Sequence, residues 1–90
     1  MEELHAVVSG RVQMVMFRDF VTRKARRMGI AGWVRNISDG TVEIVAQGER
    51  SALERLLTKV HRGPLLARVD AVQAEYRAPG ETLGEFQIRY

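Results

Sequence analysis

The sequence predicts an α+β fold, an antiparallel sheet carrying two helices on one of its faces. Three observations predict it. Two segments repeat their apolar residues at steps of three and four, the spacing of one helical face. The segments around them are short, rich in β-branched residues and partly alternating. Glycines and one Gly-Pro pair punctuate the boundaries between the two kinds of segment.

His5 to Ser9 (His-Ala-Val-Val-Ser), closed by Gly10, reads as the first strand. Arg11 to Phe17 follows neither period and reads as a loop leading into a helix. From there Phe17, Val21, Ala25 and Met28 recur on one helical face, and Gly29 supplies the stop. The other faces of this helix carry Arg18, Arg23, Lys24, Arg26 and Arg27, the last four a solvated basic surface. Ala31 to Ile37 and Thr41 to Gln47 are two strands joined across Asp39-Gly40. That dipeptide predicts a type I′ turn, which needs positive φ at both central residues. Gly48 closes the hairpin. Ser51-Ala-Leu-Glu54 reads as a capping box, in which two side chains satisfy two orphan backbone N–H groups. The helix it opens places Leu53, Leu56, Leu57 and Val60 on one face and is stopped by Gly63-Pro64. Ala67 to Tyr76 is a longer strand whose Val69 and Val72 break strict alternation, which predicts a bulge or bend. Phe86, Ile88 and Tyr90 alternate with Gln87 and Arg89 in a closing strand, pinned by packing of Tyr90 and pairing of Arg89. The order of elements is the ferredoxin-like split β-α-β arrangement. That fold hosts many unrelated activities, so function has to be argued from particular residues.

Composition narrows the classes. The 90 residues form one domain, 1–90, and with 46% hydrophobic residues a core is within reach. There is no Cys, which excludes disulfides, thiolate metal sites and a Cys nucleophile and fits a reducing compartment. His5 and His61 have no ligand-like spacing, so neither a metal nor another cofactor is expected. The start, Met-Glu-Glu-Leu-His, lacks the basic stretch and apolar run of a signal peptide. No stretch approaches the ~20 apolar residues that span a bilayer. The expectation is a cytoplasmic monomer that keeps away from membranes. A net charge of +3 favours anionic ligands. Nucleic acid is not expected, because an RNA-reading sheet of this fold needs aromatics that Thr41 to Gln47 lacks. Trp33 reads as a core or half-buried strand residue, and His5 as a strand residue rather than a proton acceptor.

Two segments can carry chemistry. Gly10-Arg-Val-Gln-Met-Val-Met-Phe-Arg18 runs from a strand into a helix N-terminus. Such a loop turns unpaired backbone N–H groups toward one point, with the helix dipole behind them, and suits a phosphate. Arg18 could reach back over it with a bidentate guanidinium. A plain connecting loop with a surface Arg is the other reading, and residues alone leave both open. In Gly32-Trp-Val-Arg-Asn36 the Asn stands near a strand end, where Asn is depleted. Its amide can donate to and accept from a water, or it can simply start the turn.

Taken together, Gly-x-Val-Gln-x-Val-x-Phe-Arg at 10–18, Gly-Trp-Val-Arg-Asn at 32–36 and Asp-Gly at 39–40 resemble the acylphosphatase family. Gly48, Gly63-Pro64 and Phe-x-Ile-Arg-Tyr at 86–90 extend the resemblance over the whole chain. It implies a hydrolase that cuts acyl phosphates without a metal, with inorganic phosphate and other oxyanions as competing ligands. It places the phosphate-binding arginine at Arg18 and the water-positioning asparagine at Asn36. It places the backbone cradle at Arg11, Val12, Gln13, Met14, Val15, Met16 and Phe17. The alternative is a weakened relative that only binds anions or RNA. The chain departs from the family pattern at Met14, where the family has Gly, and carries a bulky Met16 where the family is often small. If the loop requires positive φ at 14, Met costs roughly 1 kcal/mol or reshapes the loop.

Overall fold

The computed structural model describes residues 1–90. The chain forms β1 (Glu2–Arg11), α1 (Phe17–Arg27), β2 (Ala31–Asn36), β3 (Val42–Gly48), α2 (Arg50–Arg62), β4 (Arg68–Arg77) and β5 (Gln87–Arg89). The strands make one sheet in the order β4-β1-β3-β2-β5. Alternation sorts their side chains. Leu4, Ala6 and Val8 of β1, Ile44 and Ala46 of β3 and Val34 of β2 point to one face. There they pack with Phe17, Val21 and Ala25 of α1 and with Leu53, Leu56 and Val60 of α2 in one core. A fully buried Leu or Phe contributes about 1.5–3 kcal/mol, so this face holds the molecule together. No helix is long and apolar enough to cross a membrane.

The helices and the bulge follow the sequence reading. Gly29 (φ 72) and Gly63 (φ 69) end α1 and α2. The register of β1 against β4 skips Asp70 between Ser9↔Ala71 and Gly10↔Val69, the irregularity that Val69 and Val72 foretold. At Gly32 the close approach is the reason for glycine: a Cβ there would lie 2.0 Å from the Val45 carbonyl oxygen.

Several expectations are corrected. The first strand is longer than His5–Ser9, because Glu2 and Glu3 also pair, with Gly48 and Gln47 of β3. The Asp39-Gly40 connection is not a type I′ turn, since only Gly40 has positive φ (93). Gly40 N–H donates to the Ile37 carbonyl and Ile37 N–H to that of Thr41, a longer loop in which Asp39 caps Thr41 with its carboxylate. The capping box does not form. The helix starts at Arg50 with Glu49 as an N-cap without a side-chain bond, so Ser51 is already helical. Glu54 pairs instead with Arg50 at 3.4 Å. The sheet is mixed rather than antiparallel throughout, because β5 runs parallel to β2. Tyr90 does not pack into the core either; it is 97% exposed.

The parallel strand has a physical cause. β4 and β5 are opposite edges of the sheet, so the chain between them crosses the face that the helices leave open. Gln47 pins this strap. Its amide donates to Glu3 and to the Glu81 carbonyl (2.8 and 2.6 Å) and accepts from Leu83 N–H (2.9 Å). The strap in turn buries Gln47 to 2% exposure and drops Phe86 into the core.

Candidate active site

β1 ends at Arg11 and α1 begins at Phe17, and the loop between them is shaped by alternating backbone sign. Met14 (φ 60) and Met16 (φ 65) lie in the left-handed region, whereas Gln13, Val15 and Phe17 do not. Alternation of this kind turns successive N–H groups toward one concave side, the anion-binding nest. None of the backbone N–H groups from Gln13 to Asp19 donates to any group of the protein; the first that does is Phe20, to the Met16 carbonyl. Val12 and Val15 anchor the loop by burial in the core.

Arg18 stands in the first turn of α1, half-buried. Its guanidinium makes no hydrogen bond or ion pair and lies 5.0 Å from the centre of the Tyr90 ring. Neighbouring Asp19 leaves it free, being paired with Arg23 at 3.0 Å. Thr22 fixes the turn by donating its hydroxyl to the Arg18 carbonyl at 2.8 Å. An open cleft of about 380 Å³ is lined by Val12, Met14, Met16, Phe17, Arg18, Asp19 and Ile88.

Asn36 closes β2 on the helix side of the sheet, two residues beyond the core residue Val34. It does not line the cleft. The parallel register Arg35↔Arg89 carried one step further sets Asn36 beside Tyr90, the residue under Arg18. Arg18 and Asn36 therefore share one end of the sheet. The side-chain oxygen of Asn36 is buried and has no hydrogen-bond partner. An acceptor left in that state costs about 1–3 kcal/mol, which a bound water would remove.

The structure adds a residue whose side chain the sequence left unread. The Gln13 amide reaches across to the hairpin and donates to the carbonyls of Ile37 and Thr41 (2.8 and 2.9 Å). It ties the nest to the turn that follows Asn36. The one sequence signal is a lone amide among Val12, Met14 and Val15. Arg11 is exposed at the strand end. No three His, Asp or Glu side chains converge as metal ligands anywhere in the chain.

The open face of the sheet carries a separate polar row. Glu43 accepts from Arg35 (2.9 Å) and lies 2.7 Å from a ring nitrogen of His5, with Glu75 3.9 Å from the other. Burial pushes the Glu43 carboxyl up, but the bonds from His5 and Arg35 outweigh it and hold the group below its ordinary value. His5 is thus engaged on the face away from α1 and the nest. Trp33 is half-buried there between Arg35 and Arg89, whose guanidinium carbons lie 5.2 and 4.7 Å from its ring centre.

Known proteins resemble this chain over nearly its whole length. The family model described as acylphosphatase matches residues 4–88. An acylphosphatase of Anaeromyxobacter dehalogenans is 50% identical over 84 residues, 93% of this chain and 90% of that protein. One from Thermococcus kodakarensis is 45% identical over 84 residues, 93% of this chain and 91% of that protein. The crystal structure of the acylphosphatase of Bacillus subtilis superposes with a TM-score of 0.97 at 37% identity, covering 100% of both chains.

Proposed function

The chain belongs to the acylphosphatase family, and from that membership we infer that it hydrolyses acyl phosphates to a carboxylate and inorganic phosphate, with Arg18 and the nest holding the phosphate and Asn36 aiming the water. What carries the assignment of parts is the run of unpartnered N–H groups from Gln13 to Asp19 beside a guanidinium with no partner of its own.

The reaction needs few parts. A carboxylate leaves readily, so the work is to hold the phosphoryl oxygens, neutralise their growing charge and bring a water in line with phosphorus. The nest N–H groups, held by the folded backbone, and the Arg18 fork meet the oxygens. The buried Asn36 oxygen accepts a hydrogen from the water and turns the water's lone pair toward phosphorus. As the new P–O bond forms, the bond to the acyl oxygen breaks and its electron pair leaves on the carboxylate. The proton of the water passes to a phosphate oxygen or to the departing carboxylate, so no protein base is required. Inorganic phosphate, the product, competes for the same nest.

The test is phosphate release from benzoyl phosphate in the presence of a chelator. Wild type turns over with chelator present. Arg18→Ala, folded by circular dichroism, loses measurable turnover and no longer binds inorganic phosphate in a calorimetric titration. Near-normal turnover in that variant would overturn the assignment.

A further inference from the structure

The phosphate nest explains why the loop is left-handed at 14 and 16, but not why both positions carry Met. Glycine adopts positive φ without the roughly 1–2 kcal/mol that a side chain adds there. Packing gives little back. Met14 is 98% exposed and Met16 67% exposed, and Met16 caps α1 without any side-chain bond. Two large apolar side chains thus stand in solvent, on strained backbone, within one five-residue loop. Strain with little structural return points toward the ligand.

Their position says which part of the ligand. Both line the cleft that contains Arg18, and the rest of its wall is Val12, Phe17 and Ile88 with Asp19 as the one carboxylate. The phosphate half of the substrate is taken up by N–H groups and the guanidinium. The acyl half has to lie in what remains of the cleft, and what remains is apolar. We propose that Met14 and Met16 form a flexible rim over the acyl group, selecting acyl phosphates with an aromatic or branched alkyl acyl group over small or anionic ones. This rests on the phosphate-holding role of Arg18 and the nest argued above. Methionine suits the task because its unbranched, polarisable chain adapts to ligands of different outline. Asp19 acts weakly in the same direction, as the one carboxylate of the wall, its charge offset in part by the ion pair with Arg23.

The test compares three substrates, benzoyl phosphate, acetyl phosphate and succinyl phosphate, on wild type and on Met14→Gln, Met16→Gln and the double variant. Gln keeps the length and the backbone demand of Met but removes its apolar end. The intrinsic reactivities of the anhydrides cancel when the ratio of kcat/KM values is compared between proteins. The ratio of benzoyl to acetyl phosphate is expected to fall about tenfold in the double variant, the scale of a lost apolar contact in a binding cleft. Wild type is also expected to disfavour succinyl phosphate, and Asp19→Asn to narrow that gap. An unchanged benzoyl-to-acetyl ratio in the double variant would overturn the rim. Failure of the underlying assignment looks different: all three substrates would survive Arg18→Ala.

Discussion

Gln13 offers the sharpest test of how the site is assembled. Its amide makes two bonds, to Ile37 and Thr41 carbonyls at 2.8 and 2.9 Å. A net intramolecular bond contributes about 0.5–1.5 kcal/mol, so losing both costs roughly 1–3 kcal/mol. Neither carbonyl is orphaned, because Ile37 also accepts from Gly40 and Thr41 from Ile37. That places Gln13→Ala in the lower part of the range, about 1–2 kcal/mol, a Tm drop of roughly 5–15 °C in a domain of this size. Gln13→Glu separates this account from a simple loss of packing. A carboxylate of the same shape has nothing to donate and faces two carbonyl dipoles, so at pH 7 it should be worse than Ala by about 1 kcal/mol or more. In acid it protonates, regains one donor, and the gap to Ala should close. Urea midpoints of the three proteins between pH 7 and pH 4 measure this. The benzoyl phosphate kcat of Gln13→Ala should fall about tenfold as the nest loses its registration with Asn36. A Glu variant as stable as Ala at pH 7 would refute the reasoning, because the amide would then not be holding the hairpin.

Three further outcomes are expected. Met14→Gly should gain about 0.5–1 kcal/mol in urea midpoint, since relief of a left-handed Met (roughly 1–2 kcal/mol) exceeds the entropy Gly adds to the unfolded chain; a loss of stability would show φ 60 to be unstrained. Asn36→Ala should lower kcat by about a hundredfold while leaving inhibition by inorganic phosphate nearly as it was, since the proposed role puts Asn36 on the water and not on the anion; a large loss of phosphate inhibition would contradict that division of roles. Glu3 controls acid stability: burial raises its carboxyl, but the bonds from Gln47 and Arg77 and the charge of Arg77 prevail and hold it below its ordinary value of 4.5. Its contribution is full above that value and drains away as pH falls through the lower folded one, so the deficit of Glu3→Gln at pH 7 should shrink below about pH 4. A deficit that is the same from pH 7 to pH 3 would remove Glu3 from the acid transition.

What the sequence revealed and what it hid divide along physical lines. Both helices are legible because each buries a single stripe, and Phe17, Val21 and Ala25 do pack where their spacing says. Arg18 and Asn36 stand out through the motifs around them, and their proposed roles rest on those motifs. Contacts between distant segments are not. Gln47 reads as the polar end of a strand, and only the strap laid across it makes it a buried pin. Glu2 and Glu3 fall outside the strand that the sequence predicts, yet their partners lie in β3 and β4. Ser51 has the composition of a cap, but the chain turns into the helix sooner, where Arg50 can meet both Glu2 and Glu54. The Gln13 side chain escapes notice for the same reason, since its acceptors belong to another hairpin.

The placement of β1 governs how the molecule comes to exist. It is bonded on both sides, by β3 and by β4, so its ladder cannot close until the chain through Arg77 is available. Closing such distant pairings before any reward arrives is the signature of a high contact order and of folding in milliseconds to seconds rather than microseconds. The nest hangs between the end of this strand and the start of α1. The expected order is that its two left-handed residues settle only when both anchors are docked, which a chevron of Met14→Gly would measure. Interactions acquired that late weigh on the unfolding limb of a chevron and leave the folding limb alone. The strain at Met14 and Met16 therefore shortens the lifetime of the native state rather than obstructing the route to it.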